Sequence, residues 1–227
     1  MQPESESSAE SGVTEAFSNE NLAPEESPGS IRGRFMRMAF LFQGGLFLAS
    51  LAVGWLCGIP VRSRLNVSLG VVLIGLMATA PMLLFLAFVY RTSISSFVQI
   101  RDLLRDTLGE YLAAATWYDL VSLSILAGVS EEFLFRGTIE PLVCRWNWPA
   151  GFVISNILFG LCHAVTPTYA VLATLIGGYL SLTVWMDTQP SLVIPIICHS
   201  VYDLVAFVVV RMSYEGKVEG DGKDGRR

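Results

Sequence analysis

The sequence predicts an all-α fold: a polytopic membrane helix bundle of about six transmembrane spans, with one amphipathic helix in the interface. Three observations predict it. Residues of the apolar class make up 52% of the chain and the mean hydropathy is +0.53, a composition that soluble domains rarely reach. The apolar residues fall in long runs separated by short links rich in Arg, Pro and Trp. One stretch, 94–115, instead alternates apolar and charged residues at helical spacing.

Residues 1–30 hold Glu4, Glu6, Glu10, Glu15, Glu20, Glu25 and Glu26 and no Lys or Arg. The net charge of −5 therefore comes from this leader, and the remainder is mildly basic. Such a segment has too little apolar surface to fold, so 1–30 is expected to be a disordered acidic tail. It starts neither as a secretory signal nor as an Arg-rich transit peptide. Nothing marks a soluble basic domain, which argues against a nucleic-acid partner.

Residues 31–115 form an N-terminal membrane region. Spans are expected over 38–59, followed by Pro60, and over 68–90, with Pro81 inside. In 94–115, Phe97, Ile100, Leu104, Leu108 and Tyr111 make one face and Arg101, Asp102, Arg105, Asp106 and Glu110 the other. This suits a connecting helix on the membrane surface, or a gate beside a site.

A core region, 116–212, follows. Its spans are expected over 116–144, 149–165, 169–186 and 191–212. Trp146 to Pro149 make an interface turn, and Gly177-Gly178 permits close helix approach. Residues 213–227 are expected to be a flexible tail. Arg32, Arg34, Arg37, Arg91, Arg101, Arg105 and Arg211 would share one side, against Arg62, Arg64 and Arg145 on the other. The positive-inside rule then makes both termini cytoplasmic, and the absence of an organelle signal points to a bacterial inner membrane. Cys57, Cys144, Cys162 and Cys198 have no Cys-x-x-Cys spacing and read as small packing residues.

The third span carries Glu131, Glu132 and Arg136, and ionisable groups at membrane depth mark function by default. Glu132, Arg136 and Glu140 are four apart on one helix face and read as a charge-neutralising clamp. Glu131 lies about 100° round the helix, without a local partner, and suits a general base. The chain has two histidines, His163 and His199, both in later spans, and Asp203 is four residues from His199.

Two mechanisms fit this set. In one, Glu131 with His163 activates a water that attacks a peptide carbonyl, while His199 and Asp203 serve the oxyanion side. In the other, Glu131, His163 and His199 hold a divalent metal such as zinc, although there is no His-Glu-x-x-His spacing. A Ser or Cys nucleophile is disfavoured: Ser130, Cys162 and Cys198 are sequence neighbours of Glu131, His163 and His199, and helix neighbours point about 100° apart.

Glu-Glu-x-x-x-Arg at 131–136, Phe-x-x-x-His at 159–163 and His-x-x-x-Asp at 199–203, in this order, resemble the three motifs of the CPBP family. These are the CAAX proteases and bacteriocin-processing proteins, also called the Abi family. The likeness spans roughly 115–210 and includes Leu126-Ala127-Gly128 and Thr166-Pro167-x-Tyr169. It implies an intramembrane endopeptidase of the glutamic type with no cofactor favoured. Glu131 would activate water with His163 as its partner, His199 and Asp203 would form the oxyanion side, and Glu132 and Arg136 would support them. The implied partners are the bilayer and a peptide or protein substrate, lipidated or not. The CAAX endopeptidases carry Asn at the position of Asp203, and an ionised Asp donates no hydrogen bond. The departure bears on prenyl-substrate cleavage more than on proteolysis. The alternatives from other classes are a non-catalytic membrane binding or immunity protein, and a proton-coupled transporter, which the lack of a repeat disfavours.

Overall fold

The computed structural model describes residues 27–224; the expected acidic tail lies almost wholly outside them. The described chain is helical, with no strand. The helices are α1 (Pro28–Leu56), α2 (Leu69–Arg91), α3 (Ser95–Ala114), α4 (Trp117–Leu134), α5 (Glu140–Cys144), α6 (Trp148–Cys162), α7 (Pro167–Thr183) and α8 (Val193–Asp224). A 3-10 turn, Val61–Arg64, links α1 to α2, and a π-turn, Phe135–Ile139, joins α4 to α5.

Local chemistry sets many of these boundaries. Ser27, Ser68, Thr116, Asn147 and Thr166 cap the N-termini of α1, α2, α4, α6 and α7 by accepting a backbone N–H. Thr116 and Asp119 form a reciprocal capping box. Asp119 also accepts Nε of Arg32 at 2.6 Å and its Nη2 at 3.0 Å, which ties the first turn of α1 to that of α4. Gly58, just past the end of α1, has φ +63° and takes the left-handed conformation that closes a helix.

α1, α2 and α8 are each long and apolar enough to cross a bilayer. The other expected spans appear as shorter helices: α4 carries three carboxylates, and α6 and α7 have 15 and 17 residues. Leu41, Phe42, Trp55, Met77 and Leu84 point outward, as lipid-facing side chains do. The bundle is held on α8, which packs against α2, α3 and α4; α1 lies along α4, and α6 along α7. At the α4–α8 crossing, a Cβ on Gly128 would run into Ser200 Oγ and lie 2.9 Å from its backbone nitrogen. Only glycine permits that approach.

Two expectations need correction. The span 116–144 is not one α-helix, because the π-turn interrupts it. The polar tail expected from residue 213 is helical as far as Asp224. Its residues offer local and tertiary partners: Arg211 Nε bonds Glu215 at 2.8 Å, and Lys217 reaches Asp106 of α3 at 3.1 Å.

Candidate active site

The motif residues come from three helices. Glu131 and Glu132 sit near the end of α4, His163 caps the C-terminus of α6, and His199 and Asp203 lie six and ten residues into α8. They converge on one cluster. Glu131 Oε2 is 3.6 Å from His163 Nε2 and 3.9 Å from His199 Nε2. His199 Nε2 is 3.5 Å from Asp203 Oδ2. These separations exceed direct hydrogen bonds. Each histidine is instead fixed through its other nitrogen. His163 Nδ1 meets the Phe159 carbonyl at 2.8 Å, so it carries the proton and leaves an Nε2 lone pair facing Glu131. His199 Nδ1 donates to Glu132 Oε1 at 2.8 Å.

Glu131 has a second fixture that sequence reasoning missed. Gln43 of α1 donates from Nε2 to Glu131 Oε1 at 3.0 Å. The Ser130 hydroxyl donates to Gln43 Oε1, which orients the amide. Glu131 Oε2 is left buried without a hydrogen-bond partner among the described residues. A lone amide in an apolar span was the available signal for Gln43.

Beneath this cluster lies a network around Arg136, which is 1% exposed. Its Nη1 pairs with Glu132 Oε1 at 3.0 Å. Nη2 donates to Asn156 Oδ1 at 3.0 Å and to the Gly177 carbonyl at 2.6 Å, and Nε donates to Ser181 at 3.2 Å. The guanidinium also lies over the Phe159 ring, 4.6 Å from its centroid. Gly177 serves this network as well as helix approach, since a Cβ there would sit 3.0 Å from both Arg136 Nη2 and Asn156 Oδ1.

The expected clamp of Glu132, Arg136 and Glu140 is therefore half direct. Glu132 pairs with Arg136, whereas Glu140 Oε2 accepts from Ser181 at 2.6 Å and reaches Arg136 through that hydroxyl. The cause is the π-turn. Its extra residue rotates everything after it by about 100° relative to an unbroken α-helix. Asn156 and Ser181 were not singled out from the sequence; a polar side chain among apolar neighbours was the only mark of each.

Among the described residues, no group of three or more His, Cys, Asp or Glu side chains is arranged to hold a metal ion. The same three residues, Glu131, His163 and His199, are the set from which a metal would have to draw.

An apolar helical bundle with carboxylates and histidines gathered in its interior defines an integral membrane protein with an ionisable centre. Residues 113–205 match the family model described as Rce1-like, type II CAAX prenyl endopeptidase, and this is the family type that the three motifs resemble. The matched stretch covers less than half of the chain. It contains Glu131, Glu132, Arg136, His163, His199 and Asp203, and leaves Gln43 outside. No curated protein and no solved structure matches the chain.

Proposed function

We propose that this protein hydrolyses a peptide bond within or at the surface of the bilayer, using Glu131 and His163 to activate water without a metal. The observation that carries this reading is the buried, unpartnered Glu131 Oε2, aimed at a histidine nitrogen 3.6 Å away. One water bridges a gap of that kind. It donates one hydrogen to Glu131 Oε2 and the other to the His163 Nε2 lone pair, leaving its own lone pair for the carbonyl carbon. As the C–O bond forms, Glu131 takes the proton. His199, protonated on both nitrogens, donates from Nδ1 to Glu132 and offers Nε2–H to the oxyanion. Asp203, an acceptor when ionised, orients His199. Collapse of the intermediate breaks the C–N bond, and Glu131 returns its proton to the leaving amine. Gln43 holds Glu131 so that Oε2 is the working oxygen. The bacterial inner membrane, with both termini cytoplasmic, is part of the same proposal.

The test compares terminal peptides of the membrane proteome in cells expressing wild type or Glu131→Gln, with a chelator arm in lysate. New termini that need Glu131 and survive chelation are expected. Loss on chelation with rescue by added metal would replace this reading with the metal-dependent one. Identical termini at equal expression would favour a binding or immunity protein.

A further inference from the structure

The links between α1 and α2, α5 and α6, and α7 and α8 gather on one face of the bundle. Arg145 donates to the carbonyls of Cys57 at 2.7 Å and Gly58 at 3.0 Å, and Leu192 N donates to the Arg64 carbonyl at 2.9 Å. Between these links is a cavity of about 280 Å³ lined by Arg64, Glu140, Cys144, Arg145, Trp148 and Trp185 among others. It shares no residue with the histidine cluster, while Arg136 and Glu140 of the neighbouring network form part of its inner wall.

Its charge is unbalanced. Arg64 is half-buried, and no hydrogen bond or salt bridge of its guanidinium is found among the described residues. Glu140 lies within electrostatic reach of it but is hydrogen-bonded elsewhere. Arg145 adds a second cation. Trp148 and Trp185 are 53% and 54% exposed, and tryptophan at such a position sits at headgroup level. Two guanidinium groups beside two such rings, in a recess of the interface, present what a phosphate on an acyl-chained molecule requires: charge-assisted donors inside and an apolar rim outside.

We propose that this cavity binds the phosphate of an anionic phospholipid headgroup, with Arg64 as its principal donor. The site is independent of the proteolytic reading. The full chain in detergent is titrated with phosphatidylglycerol, phosphatidylcholine or inorganic phosphate. Bound lipid is counted by native mass spectrometry, and alkylation of the half-buried Cys144, mapped by peptide mass, reports on occupancy of the cavity itself.

Phosphatidylglycerol is expected to be retained and to slow Cys144 alkylation. Arg64→Gln should weaken retention by about tenfold or more, as loss of a charged hydrogen bond does, and Arg64→Lys should keep most of it. Equal protection by inorganic phosphate at the same concentration would overturn the lipid as source. Equal retention of phosphatidylcholine, unchanged retention in Arg64→Gln, or unaltered Cys144 alkylation would each overturn the site. If Arg64→Gln does not fold, the Cys144 result on wild type and the Arg64→Lys comparison decide.

Discussion

Two clusters of ionisable side chains lie side by side in the bundle and are built on opposite plans. Around Arg136 the donors are matched: Glu132, Asn156, Ser181 and the Gly177 carbonyl each take a hydrogen bond, and Glu132 Oε2 is left as an unpartnered buried oxygen. Around Glu131 the two histidines stand off at 3.6 and 3.9 Å, and one side-chain amide supplies the direct contact. The first arrangement locks rotamers and neutralises charge. The second leaves oxygens and nitrogens with unused capacity, which a folded interior tolerates where something else is to be bound. On the proposed reading, this contrast makes Glu132 a structural glutamate and its sequence neighbour Glu131 the reactive one.

The largest effect should come from breaking the matched cluster. Arg136→Met strands Glu132 in the interior, and removing one partner of a buried pair costs about 3–5 kcal/mol. We expect loss of folded protein in detergent and of all activity; a wild-type melting curve would show that the network is not a support. Glu131→Gln should do the reverse, leaving the melt intact while proteolysis falls by roughly 10²- to 10⁴-fold. Equal damage to both properties would erase the distinction between the clusters.

A smaller effect sharpens the comparison. Gln43→Leu should lower kcat by up to about 100-fold, as loss of orientation does, with KM little changed. A rise in KM at constant kcat would assign Gln43 to substrate binding instead. The smallest effect is expected on the surface. The Asp106 carboxyl is held below its usual range by the hydrogen bond from Arg105, then by Lys217. Whatever stability it adds is present above the ordinary carboxylate pKa and is lost only as pH falls through the lowered one. The group is exposed, so wild type and Asp106→Asn should give coincident melting curves at neutral pH.

The helices were legible because long apolar runs and capping residues are local signals: Ser68, Thr116, Asn147 and Thr166 each stand where a helix begins. The gathering of Glu131, His163, His199 and Asp203 was legible because ionisable residues are rare in apolar spans. Gln43, Asn156 and Ser181 were not, since a neutral polar side chain gains its meaning only from a partner 20 to 88 residues away. The helical end of α8 was hidden for a related reason. Glycines and charges there suggest a tail, and contacts with α3 override that local preference.

The π-turn has a consequence for reading sequences of this kind. A helical wheel drawn through 117–144 assigns the right neighbours up to Phe135 and the wrong ones beyond it. The Glu140 backbone nitrogen bonds the Phe135 carbonyl, five residues back, so the turn counts one residue that the wheel does not. Glu140 thereby loses direct contact with Arg136, meets Ser181 of α7, and lines the cavity that holds Arg64 and Arg145. A single uncounted residue thus decides which of two chemistries a carboxylate serves.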